Sequence, residues 1–489
     1  MGQLKQETLH ATKWSGVGTF TNFAVNFGLG IVLARLLEPS DYGIIGMTAI
    51  FFSIANIFID GGLGLALIQR KDLSEADCST VFYFNIAAST TAYLLLFVGS
   101  PYIAEFLRVP ILKDIIRVSA LSMVIGSFGS IHHALLSKNI QFKAPTILGV
   151  ANNLLCAFLG IYMAYSGWGV WSLVWPNIIT CVIGTVAIWF ISPWRPKFIF
   201  SVASFKSMFS FSGNLVINSI LDTFYSEGTS MVIGRFYTPQ TLGYYNKGQR
   251  NAFLPSQLLS RVVSGVSLPI LSKIQDDNEK LVQIYSKYIR MMSMVVFFVT
   301  ILLLAIARPF TLFLYSEKWE PAIIFMQLFC IRYMLFHIHA LNWNLLLVKG
   351  RTDIALKKEL INKSIRFTLL ISSIPFGVMV ICLAQIVGTI SDLFVNTYFA
   401  GKVCGMGFKQ QASDFVPYML LAMAACLPAF LLSFSEWNAL ISLVVGAFVA
   451  IILYWGFLWW RKDECLFALI EMVPLKKWMR KINPTADNI

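Results

Sequence analysis

The sequence predicts an all-α polytopic membrane protein of about 14 transmembrane helices, arranged as two pseudo-symmetric six-helix lobes with two further helices at the C-terminal end. Three observations lead there. Of 489 residues, 57% are hydrophobic and only 13% charged, whereas a soluble domain carries about a quarter of its residues as charges. Apolar stretches able to cross roughly 30 Å of hydrocarbon, about 20 residues each, recur along the whole chain. Finally, IVLARLLEPSDYG at 31–43 returns as MVIGRFYTPQTLG at 231–243, displaced by 200 positions, with Val32/Val232, Arg35/Arg235, Pro39/Pro239 and Gly43/Gly243 identical. Each copy ends a long apolar helix, supplies an Arg, turns with Pro and Gly, and opens a second apolar helix.

Taken in order, the expected spans are 14–37, 43–68, 79–107, 114–137, 144–166, 168–192, 205–235, 241–271, 288–314, 320–348, 354–381, 384–402, 413–434 and 437–460. The N-terminal MGQLKQETLHATKW has no h-region followed by a small-residue cleavage site, so the first span is expected to be retained rather than removed as a signal. Spans 1 and 7 carry the two repeat copies in the same orientation, because six spans separate them. That is a parallel repeat about an axis along the membrane normal. It divides the chain into an N-terminal lobe at 1–192, a cytoplasmic linker at 193–204 containing Pro193, Arg195, Pro196 and Lys197, a C-terminal lobe at 205–403, and 404–489 with the last two helices and a basic tail. Leu281, Ile284, Tyr285, Tyr288 and Ile289 fall on one helical face of KIQDDNEKLVQIYSKYIR, which predicts an interfacial helix before span 9.

Charge sets the orientation. With the N-terminus in the cytoplasm, 27 of the 38 Lys and Arg residues fall on cytoplasmic segments, among them Arg70, Lys138, Lys197, Lys273, Lys280, Lys349, Lys358, Arg366, Lys402, Lys409 and Lys476. Both termini are therefore expected in the cytoplasm. The same retention accounts for the net charge of +13 without a nucleic-acid partner. The eight cysteines are scattered, with no CxxC or Cys/His grouping, and His132, His133, His337 and His339 lack partners at ligand spacing, so neither a disulfide framework nor a metal or other cofactor is expected.

Polar residues at membrane depth are costly and tend to face a bundle interior or a wet cavity. Ser15, Thr19, Asn22 and Asn26 share one face of span 1, and Asn214, Asn218, Asp222, Tyr225 and Thr229 form a stripe on span 7, with Asn22 and Asp222 again 200 positions apart. Span 2 adds Ser53, Asn56 and Asp60 beside Gly61, Gly62 and Gly64, which allow close packing or local unwinding. Span 8 carries the most basic face: Lys247, Arg250, Gln257 and Arg261 lie at offsets of 0, 3, 10 and 14, within one third of the helix circumference. Cations on one face suit an anion, and the arginine fork matches phosphate or pyrophosphate. Plainer roles stand beside these: Asn and Ser stripes can fasten neighbouring helices, Lys247 can snorkel to the headgroups, and Arg35 and Arg235 serve as helix-end anchors. Asp60, Asp222, Glu227 and Asp392 are candidate ion-coupling carboxylates, or the partners that make the arginines tolerable.

Four segments carry a family resemblance: ARLLEPSDYG after span 1, IDGGLGLALIQR at the end of span 2, LGYYNKGQR opening span 8 and LPILSKIQDD closing it. The chain resembles the polysaccharide-transporter branch of the MOP flippase superfamily, nearest to the Wzx-type, colanic-acid-like lipopolysaccharide exporters. The resemblance implies a flippase that moves an undecaprenyl-pyrophosphate-linked oligosaccharide across the bacterial inner membrane for exopolysaccharide, O-antigen or capsule synthesis. It also implies alternating access around a cationic central cavity. The pyrophosphate is then expected at Arg250 and Arg261, the sugar hydroxyls at Asn22, Asn26, Asn218 and Asp222, and the lipid tail in the bilayer. Span 2 has no face as basic as that of span 8, so charge recognition is expected to be concentrated in the C-terminal lobe. The partners expected are the lipid-linked oligosaccharide, membrane lipids and downstream polymerase or export proteins, with the chain acting as a monomer.

Two competing functions differ in what they require. A multidrug or cation antiporter of the same superfamily would favour an acidic cavity, which the basic face of span 8 argues against. A membrane glycan polymerase or ligase needs catalytic groups outside the membrane, and no expected outer loop is long enough to build such a site.

Overall fold

The computed structural model describes the backbone of residues 2–61, 63–70 and 72–472; within it, the side chains at 2–15, 17, 60, 65, 69, 209–215, 217, 218, 221, 225, 258–270 and 472 lie outside the description. Every regular element among the described residues is helical. The chain forms two compact units, Met1–Asn246 and Lys247–Ile489.

The first unit holds α1 (Gly2–Leu36), α2 (Pro39–Asp60), α3 (Leu63–Gln69), α4 (Glu75–Leu107), α5 (Leu112–Ser119), α6 (Leu121–Lys138), α7 (Lys143–Tyr165), α8 (Trp171–Ile191), α9 (Val202–Phe236) and the opening of α10 (Pro239–Ser272). The first repeat turn shows why a helix starts there. Pro39 occupies the first turn of α2, where its missing N–H costs nothing, and Glu38 and Asp41 close a capping box. Expected span 2 is broken at Gly61, whose φ of 47° ends α2 before α3 begins. α1 packs on α7, α7 on α8, α8 on α6 and α6 on α4, while α9 lies against α2, α3 and α4. Leu63, Val81, Phe82 and Ile131 form a buried core among α3, α4 and α6. Small polar side chains bridge the apolar helices, Asn85 Nδ2 donating to Ser130 Oγ at 3.0 Å and Ser89 Oγ to Ser127 Oγ at 3.0 Å.

The two repeat turns meet reciprocally within this unit. A Cβ on Gly43 would stand 1.7 Å from the carbonyl oxygen of Pro239, and a Cβ on Gly243 would stand 1.9 Å from that of Pro39. Only glycine allows either approach. Arg235 rests with its guanidinium 5.0 Å from the centre of the Phe106 ring, a seat that suits a helix-end anchor.

The second unit holds the rest of α10, then α11 (Asn278–Ala305), α12 (Ala307–Tyr315), α13 (Ala322–Tyr333), α14 (Phe336–Val348), α15 (Thr352–Ser373), α16 (Val378–Cys404), α17 (Phe408–Leu432), α18 (Ala439–Trp460) and α19 (Glu464–Met472). α11 packs on α17 and α17 on α18, while α13, α14 and α15 gather on α16. The expected interfacial helix does not lie apart. Leu281, Tyr285 and Ile289 belong to the first turns of α11 and are fully buried, because α17 and α19 cover that face.

Among the described residues, 11 helical segments are long and apolar enough to cross a membrane, so this is a multi-pass membrane protein. The expected spans 205–235, 241–271 and 354–381, within α9, α10 and α15, are not among these segments, and side chains in parts of α9 and α10 lie outside the described residues. Their polar residues are the ones that bear on function.

Candidate functional site

Within the second unit, α10 is held by polar contacts on two opposite faces, Gln249 and Ser256 on one and Asn251 on the other. Tyr315 Oη donates to Asn251 Oδ1 at 3.1 Å, Gln249 Nε2 donates to Tyr333 Oη at 3.1 Å, and Ser256 Oγ donates to the Tyr333 carbonyl at 3.2 Å. This anchoring fixes the rotation of the helix and therefore where its cations go. Lys247 is 9% exposed. Its ammonium lies 3.9 Å from the centre of the Tyr315 ring and 5.4 Å from that of Trp319, so aromatic faces offset part of its desolvation. Arg250, by contrast, is exposed and makes no hydrogen bond or ion pair among the described residues. Gln257 is half-buried. The side chain of Arg261 lies outside the described residues, as do those of Asn218 and Asp60.

In the first unit, Asn153 Nδ2 of α7 donates to Asn22 Oδ1 at 2.8 Å, and Asn26 Nδ2, exposed, donates to the Asn22 carbonyl at 2.8 Å. Asn22 therefore fastens α1 to α7. Asp222 is exposed on α9, and Glu227 is half-buried there without a hydrogen bond or ion pair among the described residues.

The fourth carboxylate lies elsewhere. Asp392 of α16 is 1% exposed and pairs with Arg366 of α15. Around this pair, Asn362 Nδ2 donates to Asn396 Oδ1 at 3.2 Å, and Asn396 Nδ2 lies 2.8 Å from His339 Nδ1. Arg332 Nη1 donates to Gln385 Oε1, and the Lys358 ammonium sits 4.9 Å from the centre of the Trp343 ring. Sequence reasoning placed Lys358 and Arg366 with the cytoplasmic charges and overlooked this seam. The signal was present, since Lys358, Asn362 and Arg366 recur at i, i+4 and i+8 on one face of α15. Among the described residues, no group of three His, Cys, Asp or Glu side chains could hold a metal ion. What the arrangement offers is an open guanidinium on α10 and a closed ionic seam in the second unit.

Comparison with known proteins agrees with this architecture. The chain is 24% identical over 444 residues to the lipopolysaccharide biosynthesis protein WzxC of Escherichia coli (strain K12), covering 85% of this chain and 86% of that protein. It is 23% identical over 309 residues to the succinoglycan biosynthesis transport protein ExoT of Rhizobium meliloti (strain 1021), covering 63% of each. Among solved structures, its fold is similar to that of lipid II flippase MurJ in an inward closed conformation, with a TM-score of 0.74 and 16% identity over 91% of this chain and 98% of that one. The polysaccharide biosynthesis protein family matches residues 32–324, more than half of the sequence, and the chain belongs to that family.

Proposed function

We propose that this protein is a flippase for a lipid-linked oligosaccharide used in building a bacterial surface polysaccharide. Its relatives WzxC and ExoT are named for lipopolysaccharide biosynthesis and succinoglycan transport. The structural observation that carries the substrate chemistry is Arg250. It lies 11 residues beyond Pro239 in α10, roughly 16 Å along the helix at about 1.5 Å per residue, yet it is exposed and unpartnered among the described residues. An always-charged fork held open at that depth calls for an anionic ligand.

In the finer form of the proposal, the lipid carrier is undecaprenyl pyrophosphate, held by Arg250 and Arg261 with Lys247 and Gln257 on the same helix. Asn26, Asp222, Asn22 and Asn218 offer hydrogen bonds to sugar hydroxyls. The lobes 1–192 and 205–403, with the linker 193–204 and the appended 404–489, alternate access as a monomer in the inner membrane, both termini cytoplasmic. Asp60, Asp222, Glu227 and Asp392 are the groups available for ion coupling.

The test is complementation of a strain lacking the gene. Arg250→Ala and Arg261→Ala are each expected to lower glycan export tenfold or more, at unchanged protein level in the membrane. Full export by both variants would sink the assignment.

A further inference from the structure

The inner end of α16 and the start of α17 enclose a groove of about 750 Å³ lined by Phe394, Thr397, Tyr398, Gly401, Lys402, Gly407 and Phe408. Its floor is apolar and faces outward: Phe394, Tyr398 (64% exposed) and Phe408 are all exposed, and the Phe394 and Phe408 rings lie 4.8 Å apart. The notch exists because two glycines bring the backbones together, a Cβ on Gly401 standing only 2.9 Å from Gly407 Cα. Its mouth is cationic. Lys402, which lines the groove, and Lys409, next in the chain to the lining residue Phe408, are exposed and make no hydrogen bond or ion pair among the described residues. No side chain caps the N-terminus of α17 at Gly407, and its first turn carries no acid, so its free N–H groups add partial positive charge at the same mouth.

An apolar trough with cations at one end has the polarity of a lipid. Its lysines belong to the side that the charge distribution assigns to the cytoplasm, where anionic headgroups attract basic residues. We propose that this groove binds an anionic phospholipid of the cytoplasmic leaflet. The phosphate meets Lys402, Lys409 and the N-terminus of α17, and an acyl chain lies along Phe394, Thr397, Tyr398 and Phe408. The bound lipid bridges α16 and α17 where the polypeptide itself leaves a cleft.

The experiment is native mass spectrometry of the full-length protein in detergent micelles containing equal phosphatidylglycerol and phosphatidylcholine. The expected result is selective retention of phosphatidylglycerol. Lys402→Glu with Lys409→Glu should lower that retention roughly tenfold or more, while Lys273→Glu with Lys280→Glu, equal in charge but not among the residues that line the groove, should leave it unchanged. Phe394→Ala with Tyr398→Ala, keeping both cations, should also weaken retention, and inorganic phosphate at millimolar concentration should not displace the lipid. Circular dichroism and size exclusion check that each variant is folded. Equal retention of the two lipids, equal loss from the two lysine reversals, or displacement by phosphate alone would overturn the proposal.

Discussion

A charge inside the bilayer persists only when something else lowers its cost, and the buried charges here solve that problem differently. Asp392 and Arg366 solve it by pairing, and removal of one partner leaves the other uncompensated. Asp392→Ala is expected to destabilise the protein by about 3–5 kcal/mol, whereas Arg366→Met with Asp392→Leu should restore most of that loss. Thermal unfolding of the single and double variants measures both. If the double variant also transports normally, Asp392 is a fastener and leaves the list of ion-coupling groups. Lys247 is instead sheltered by Tyr315 and Trp319, while Arg250 has no such shelter. Lys247→Met is therefore expected to lower glycan export by less than Arg250→Ala does, because its charge reaches the ligand from within the aromatic seat rather than through an open contact. Comparable loss from Lys247→Met and Arg250→Ala would mean that the aromatic seat is part of the ligand site.

Helices meet at positions that a linear sequence marks but does not pair. The identities Pro39/Pro239 and Gly43/Gly243 announce two equivalent turns; that each glycine receives the carbonyl of the other copy's proline emerges only when α2 and α10 are brought together. Gly43→Ala would drive a methyl into that carbonyl. It is expected to cost about 1–3 kcal/mol, as overpacking of a tight contact does, and Gly243→Ala should match it because the contact is reciprocal. Equal melting temperatures for wild type and both variants would refute the interlock. The same limit explains two misplacements. Leu281, Tyr285 and Ile289 present an amphipathic face that suits either a headgroup region or a protein groove, and only α17 and α19 decide which. Lys358 and Arg366 read as loop charges by counting, because the partner that holds Arg366 in place, Asp392, lies 26 residues further along the chain. That Lys247, Arg250, Gln257 and Arg261 recur on one side of a helix is readable from spacing alone; the aromatic shelter that separates buried Lys247 from exposed Arg250 is not, since Tyr315 and Trp319 come from another part of the chain.

At the scale of the whole chain, hydropathy and charge distribution imply the membrane class and a sidedness, and the sidedness turns on α9, α10 and α15, which hold expected spans but are not among the 11 segments found in the described residues. Their crossing can be decided by parity. Between Ser166 and Gln410 lie the expected spans 6 to 12, seven crossings that place the two residues on opposite sides. If α9, α10 and α15 do not cross, four crossings remain and the residues share a side. None of the eight native cysteines is exposed, whereas Ser166 and Gln410 both are, so single cysteines can be introduced without competing labels. A membrane-impermeant maleimide applied to cells with a permeabilised outer envelope is expected to label Ser166→Cys and to spare Gln410→Cys until the inner membrane is opened. Labelling of both from outside would remove the polar helices from the bilayer, and with them the argument that Arg250 meets its ligand at membrane depth. Labelling of Gln410→Cys alone would invert the orientation and move the phospholipid groove to the opposite leaflet.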